Sequence, residues 1–287
     1  MLSNTLKTTA LLGGLGGLII LVGGLLGGSG GLVIGLVIAL VTVGGSYWFS
    51  DQLALKSAGA RIVTEAEAPE LYAIVRSLAQ RAELPMPRIA VSPSEQPNAF
   101  ATGRNPDHAI VCTTAGLLRQ MPRDELDGVL AHEMMHVKHR DILIGSVAAA
   151  IASAISFAAT MALWSGMLGG RGRNERSNPI VLLGASILAP IAASLMHMAV
   201  SRSREFDADR GGAELLGTGE PLAKALGRIE DLAARTPMAV NPSQAAAWIH
   251  NPLSEAPKRQ GGGPDLARLF STHPDTAERI RRLRSMH

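Results

Sequence analysis

The stretch LAHEMMHVKHRD, Leu130 to Asp141, sets three histidines and a glutamate on successive helical turns, just before a long apolar run. His132 and His136 stand four residues apart. On an α-helix that spacing leaves them about 40° apart around the axis and one turn apart along it, so both imidazoles can reach one ion. Glu133 sits beside them, where the HExxH pattern puts the base that takes a proton from metal-activated water and returns one to a leaving amine. From this chain's composition the pattern would arise by chance in about one such chain in a hundred. The competing reading is two surface histidines beside a solvated glutamate. His139, three residues past His136, is a poor third ligand, because three side chains rising along one straight helix overshoot a single tetrahedral centre. Catalytic zinc takes its third ligand from another element and keeps one position open for water.

A His, Asp or Glu on a second helix must complete the set, and SRSREFDADRGGAELL, Ser201 to Leu216, offers Glu205 and Asp209, again four apart. One can point at the metal while the other, a turn away, accepts a hydrogen bond from a ligand imidazole. The same spacing also suits an ordinary charged helix with Arg204, Glu205, Asp209 and Arg210 in i,i+4 pairs.

The elements that must position these groups are read from periodicity. The chain has 287 residues, 47% hydrophobic and only 3% aromatic, with its apolar residues gathered into long runs. That distribution belongs to a membrane protein. Leu11 to Leu26, extended toward Leu6, and Gly31 to Phe49 each reach the roughly 20 residues that span a bilayer. Ile142 to Leu168 and Pro179 to Val200 are long enough too, but rich in Ala, Ser and Gly. No small-x-small cleavage site comes after the first run, so it is expected to stay in the protein. Gly13 with Gly17 and Gly24 with Gly28 fit the small-xxx-small pattern of a tight helix pair or a dimerisation face, which leaves a homo-oligomer open.

The formal charge of +3 carries no aromatic-interleaved basic stripe, which argues against a nucleic-acid partner. Lys56, Arg61, Lys138, Arg140, Arg202, Arg204 and Arg210 flank the apolar runs on one side, which the positive-inside rule makes the cytosol. Arg171, Arg173 and Arg176 between the third and fourth runs conflict with a simple four-span path. The lone Cys112 excludes an internal disulfide.

The chain divides into four units: an N-terminal transmembrane hairpin (1–50), a first catalytic part ending on the HExxH helix (51–141), a second hydrophobic hairpin (142–200), and a second catalytic part (201–287). PELYAIVRSLAQRAEL, from Pro69, is an amphipathic helix with Leu71, Ile74, Val75 and Leu78 on one face. PRIAVS, NAFATG and HAIVCTT read as strands of a small sheet. A second helix starts at Pro122 with acids in its first turn. Thr236 to Pro264 is expected to be a long loop. The fold class is α+β, mainly helical, with a small sheet beside the metal helix and four hydrophobic helices.

NAFATG, HEMMH, SRSREFDAD and THPDTAERI, in this order around two hydrophobic hairpins, resemble the HtpX-type membrane metallopeptidases, relatives of the CAAX prenyl proteases. The resemblance covers nearly the whole chain. It implies a gluzincin-like site in which His132, His136 and Glu205 hold one Zn2+, Asp209 supports a ligand imidazole, and Glu133 is the base. It also implies a multi-pass protein of a bacterial inner membrane with a cytoplasmic site, acting in stress-linked quality control on unfolded or membrane-protein substrates. Position 139, Asn in relatives of that type, is His here.

Asn98, Ala99 and Phe100 would then form an edge strand against which an extended substrate adds as another strand; a plain structural strand is the other reading. His273 and Arg279 match that family's late His and Arg and could stabilise a tetrahedral oxyanion. The alternative is a helix start at Asp275 with an Arg-rich face. From a different class, a membrane adaptor with a structural zinc site would need a closed, Cys-rich set that one cysteine does not supply. An intramembrane protease would bury its motif in an apolar helix, whereas Lys138, Arg140 and Asp141 come directly after this one.

Overall fold

The structure, a computed structural model, describes residues 2–143, 202–236, 238, 248–251 and 274–286. Almost all of the third and fourth apolar runs, most of the loop expected after Thr236, and His273 lie outside the described residues. What is described is mostly helical, with one small mixed sheet.

Helix α1, Leu2–Ser57, takes up both N-terminal apolar runs. At Gly28 the backbone is left-handed, with φ of 57°, a conformation that glycine adopts without steric cost. There the chain doubles back. A Cβ added at Gly35 would lie 3.0 Å from backbone atoms of Ile19 and Ile20, which a straight helix would hold roughly 20 Å away. The turn decides which small residues form the seam: Gly31, Gly35 and Ala39 are buried, one turn apart, whereas Cβ positions at Gly13 and Gly17 meet nothing within 4 Å. Gly13 and Gly17 thus form no close helix pair within this chain, and of the second expected pair only Gly24 faces the opposite arm, at Leu32. Among the described residues Gly28–Gly45, with a mean hydropathy of 2.0, is the one segment long and apolar enough to cross a membrane.

The sheet has the order β1-β2-β4-β3, with β1 Arg61–Ile62, β2 Arg88–Ser92, β3 Ala99–Thr102 and β4 Ile110–Thr114. β2 and β4 run parallel; β1 and β3 are antiparallel edges. Alternation sends Ile89, Ala99 and Val111 toward the helical core and Ala90, Phe100, Ile110 and Cys112 to the other face, where Ala54, Leu55 and Ala58 at the end of α1 cover them. Arg88 ties that end of α1 to β2 through Asp51 at 2.8 Å. The three strands expected from sequence are present, and the two-residue, exposed β1 carried no sequence signal.

On the core face lie α2, Pro69–Ala82, which buries the expected Leu71, Ile74, Val75 and Leu78, and the short α3, Ala115–Gln120. Helix α4, Arg123–Lys138, begins one residue later than the sequence suggested, because Pro122 takes the N-cap position. It buries 11 of its 16 residues and is the hub of the core. Against it pack α5, Arg202–Leu216, and α6, Glu220–Ala233; α7, Thr276–Arg284, closes the layer on α6 and α5. Asp275 caps α7, accepting from the Glu278 N–H at 3.0 Å.

Two glycines set these crossings. A Cβ at Gly128 of α4 would stand 2.5 Å from the Leu222 backbone N of α6, and one at Gly212 of α5 would stand 3.2 Å from the His132 backbone N. A double hydrogen bond from Arg228 to Glu125, at 2.6 and 2.8 Å, reinforces the α4–α6 contact.

Gly128→Ala should therefore force the two helices apart and lower unfolding stability by about 1–3 kcal/mol. Gly227→Ala, whose new methyl would meet only Ile280 Cδ1 at 3.7 Å, should be neutral or gain up to about 1 kcal/mol of helix propensity. Urea unfolding of the two variants checks the contrast.

Candidate metal centre

His132 and His136 leave α4 on the side that Gly212 lets α5 approach. Their Nε2 atoms face each other at 3.1 Å. Glu205, in the first turn of α5, brings Oε1 to 3.5 Å from His136 Nε2 and Oε2 to 3.7 Å from His132 Nε2, both beyond hydrogen-bond reach. The three ligand atoms lie within 4.8 Å of one another.

The far sides of both rings are tied to acids. His132 Nδ1 lies 2.9 Å from Asp209 Oδ1, and His136 Nδ1 lies 3.3 Å from Asp141 Oδ2. A carboxylate at Nδ1 assigns the ring proton to that nitrogen and leaves Nε2 with a lone pair. Two lone pairs directed at each other across 3.1 Å, with a carboxylate alongside, need a cation between them. A neutral-imidazole, neutral-imidazole, carboxylate set with room for a further ligand suits a catalytic metal, so the residues present fit one.

Charge and burial sharpen this. Burial would raise the Asp209 carboxyl, but the Arg279 guanidinium and the His132 hydrogen bond outweigh it and hold the carboxyl at about 2. Asp209 is therefore an acceptor throughout the working range. Arg279, 2% exposed, grips it twice, through Nε at 2.9 Å and Nη2 at 2.7 Å. Burial pulls His136 down, but hydrogen bonding to Asp141 and the nearby Glu205 and Glu133 carboxylates raise it to about 9, so without metal this ring takes up the missing cation as a proton. Glu133, 2% exposed, is pushed up by burial, partly offset by His132 and His136. Burial also pushes the Cys112 thiol up, which removes it as a thiolate ligand at neutral pH.

Of the residues singled out from sequence, His132, His136, Glu133, Glu205 and Asp209 come together here. Arg279 also arrives: its Nε and Nη2 hold Asp209, and its Nη1 lies 3.7 Å from Glu205 Oε2. Ala99 and Phe100 open the edge strand β3, and Asn98 immediately precedes it. His139 caps the end of α4, half-buried and outside the ligand cluster.

Sequence reasoning missed Asp141, which it read as part of a surface collar; it is 7% exposed and faces His136 and, at 3.9 Å, Arg204. The path depends on Arg140, whose φ of 60° turns the chain back after α4. Nothing in an arginine announces a left-handed turn.

Residues 65–287 match the model of Peptidase family M48. The chain belongs to peptidase family M48. Proteins named Protease HtpX homolog, from Burkholderia mallei (strain SAVP1) and Burkholderia pseudomallei (strain K96243), are each 49% identical over 287 residues, covering 99% of this chain and 97% of theirs. The resemblance to HtpX-type peptidases is thereby borne out. The crystal structure of S. mikatae Ste24p shares the fold at a TM-score of 0.50 with 17% identity, over 98% of this chain and 64% of that one. This M48 peptidase thus spans just under two thirds of Ste24p.

Removing either acid that orients an imidazole should loosen the metal site. Asp141→Ala and Asp209→Ala are each expected to weaken zinc binding by about 10–100-fold in chelator competition. In the M48 peptidase as it stands, zinc must displace the His136 proton, so apparent affinity should rise about tenfold per pH unit up to about 9 and level off above it. The folded-state value lies above the ordinary 6.5. His136 therefore stabilises the metal-free protein fully below 6.5, and that contribution is lost as pH rises through about 9, which thermal unfolding across pH will show.

Proposed function

We propose that this M48 peptidase is a zinc-dependent endopeptidase, anchored in a bacterial inner membrane with its site on the cytoplasmic face, that cleaves misfolded or damaged membrane and associated proteins. The observation that carries the reading is the pair of facing imidazole nitrogens with Glu205 alongside and Glu133 on the same helix. One zinc ion held by His132, His136 and Glu205 would supply the Lewis acidity that activates a water and polarises the scissile carbonyl.

The protein's own residues supply the rest. Glu133 takes the proton from the attacking water and delivers it to the leaving amine, and the new C–O bond replaces the broken C–N bond without a covalent enzyme intermediate. Burial raises the proton affinity of Glu133, which suits a group that must hold a proton briefly between two transfers. Asp209 and Asp141 fix both ligand rings in the required tautomer. Arg279 keeps Asp209 ionised through Nε and Nη2, while its Nη1, 3.7 Å from Glu205 Oε2, stays available with His273 as the cationic pair for the oxyanion. The outer edge of β3 is where main-chain hydrogen bonds could accept substrates of many sequences, as a degradative enzyme requires.

Membrane anchoring is supported by Gly28–Gly45 and by the aromatic residues just after it. Trp48 and Phe49 are 58% and 54% exposed, and the Arg104 guanidinium lies 4.8 Å over the Trp48 ring. An amphipathic tryptophan and a cation suit the headgroup level, and Lys56 and Arg61 support a cytosolic position for that end. The adaptor reading gains nothing from a site with two imidazoles, one carboxylate and a buried general base.

The test is degradation of an unfolded protein by detergent-purified, zinc-loaded full chain beside Glu133→Gln, with zinc measured in both. Wild type should cleave, and the variant should bind zinc equally yet lose at least about 10³-fold in rate. Equal zinc with no cleavage by either protein would favour a non-catalytic adaptor.

A further inference from the structure

The outer edge of β3 is not bare. The Ile249 N–H donates to the Ala99 carbonyl at 2.9 Å. The Asn98 side chain pairs with both backbone groups of His250, donating from Nδ2 to its carbonyl at 2.8 Å and accepting its N–H at Oδ1 at 3.2 Å. The Trp248 ring meets Phe100 edge-on at 4.6 Å. As the chain advances from Trp248 to His250, its partner on the strand side retreats from Phe100 to Asn98, so this bend runs antiparallel to β3, held by one main-chain hydrogen bond and by the Asn98 side chain, which also accepts the Ala99 N–H at 3.1 Å. Trp248, Ile249 and Asn251 are 3%, 3% and 5% exposed, so the segment is seated rather than draped. The inner edge of β3 is taken by β4, and Asn98 itself is tied inward through its backbone to Thr114, so the amide side chain is the group it presents outward.

We propose that Trp248–Asn251 is a built-in pseudosubstrate: it runs antiparallel along the outer β3 edge that the peptidase reading assigns to a peptide, and a substrate engages the site by displacing it. The inference rests on the proposed peptidase reading of the neighbouring metal centre. An incoming extended chain would inherit the same groups: the Ala99 carbonyl and the Asn98 amide for its backbone, and the Phe100 face for an aromatic or large apolar side chain. Such side chains are exposed in an unfolded protein and hidden in a folded one, so the competition favours damaged substrates. An occupant on the same chain acts at high effective concentration, and the substrate's apparent affinity is discounted by the fraction of open edges.

Two variants of the full-length, zinc-loaded, detergent-solubilised protein test this. Ile249→Pro removes the donor to Ala99, and Trp248→Ala removes the ring on Phe100. With reduced, carboxymethylated ribonuclease A as the unfolded substrate, KM is expected to fall about tenfold in each while kcat and zinc content hold. A KM that stays or rises at unchanged zinc content overturns the proposal, since the segment would then be a fixed wall of the site. A second readout does not need turnover. In Glu133→Gln carrying Trp48→Phe and Trp164→Phe, Trp248 is the sole tryptophan, and the same substrate, free of tryptophan, should shift its emission to the red on binding. Unchanged emission once cosedimentation shows the protein saturated overturns displacement, whereas a shift without any wild-type cleavage upholds it and sinks the peptidase reading instead.

Discussion

Two imidazole nitrogens that face each other at 3.1 Å, each with its ring proton drawn off by a carboxylate on the far side, are the constraint around which this structure is arranged. Left alone, such a pair of lone pairs is repulsive. It persists because α4 is buried along most of its length and cannot rotate the rings away, and because Glu205 arrives from α5 with negative charge at the point where a cation belongs. Asp209 and Asp141 act on opposite rings from opposite directions, one from α5 and one from the turn after α4. The acids that orient the ligands are as buried as the ligands themselves, with Asp209 at 2% and Asp141 at 7% exposure. Buried charge at this density is tolerable only when paired. Arg279 and Arg204 provide the pairing, so the ligand shell, its supporting acids and their cations form one network spanning three helices.

The helical packing follows from that network. Glu205 and Asp209 reach α4 because Gly212 lets the two backbones close up, and α6 braces α4 from another side because Gly128 does the same. A side chain at Gly128 would push α6 off α4, and one at Gly212 would press on the backbone of His132 itself. The sheet contributes differently: its inner face completes the core beneath α4, and its edge strand β3 lies beside that helix. The end of α1, packed on the sheet's other face and bonded through Asp51 to Arg88, links the apolar N-terminal arms to the same sheet.

Much of this was legible in the residues. The four-residue spacing of His132 and His136, the apolar period of Leu71, Ile74, Val75 and Leu78, and the strands bounded by Pro, Asn and Gly are local signals, and each produced the element expected of it. Glu205 and Asp209 were legible as a pair, and the choice between them came with the family resemblance. The features that escaped exist only once distant parts of the chain meet. Asp141 looks like one more charge in a polar collar until Arg140 adopts a left-handed turn. Arg279 was legible as the family's late Arg, but its grip on Asp209 exists only once α7 carries it there. Gly211 and Gly212 look like helix weakeners, not contact points, and the pairing of Asn98 with His250 joins positions 152 residues apart. None of these has a period or a spacing that a sequence could display.

One metal held by His132, His136 and Glu205, as proposed, would give the whole network its purpose. Zinc K-edge X-ray absorption of the zinc-loaded full-length protein, recorded beside Glu205→Ala, addresses it directly. The structure predicts a shell of two imidazole nitrogens with the remaining ligands oxygen, at about 2.0–2.1 Å and without sulfur. The variant should lose an oxygen from that shell or fail to hold zinc. A sulfur scatterer from Cys112, a third imidazole from His139, or a shell that Glu205→Ala leaves unchanged would contradict it.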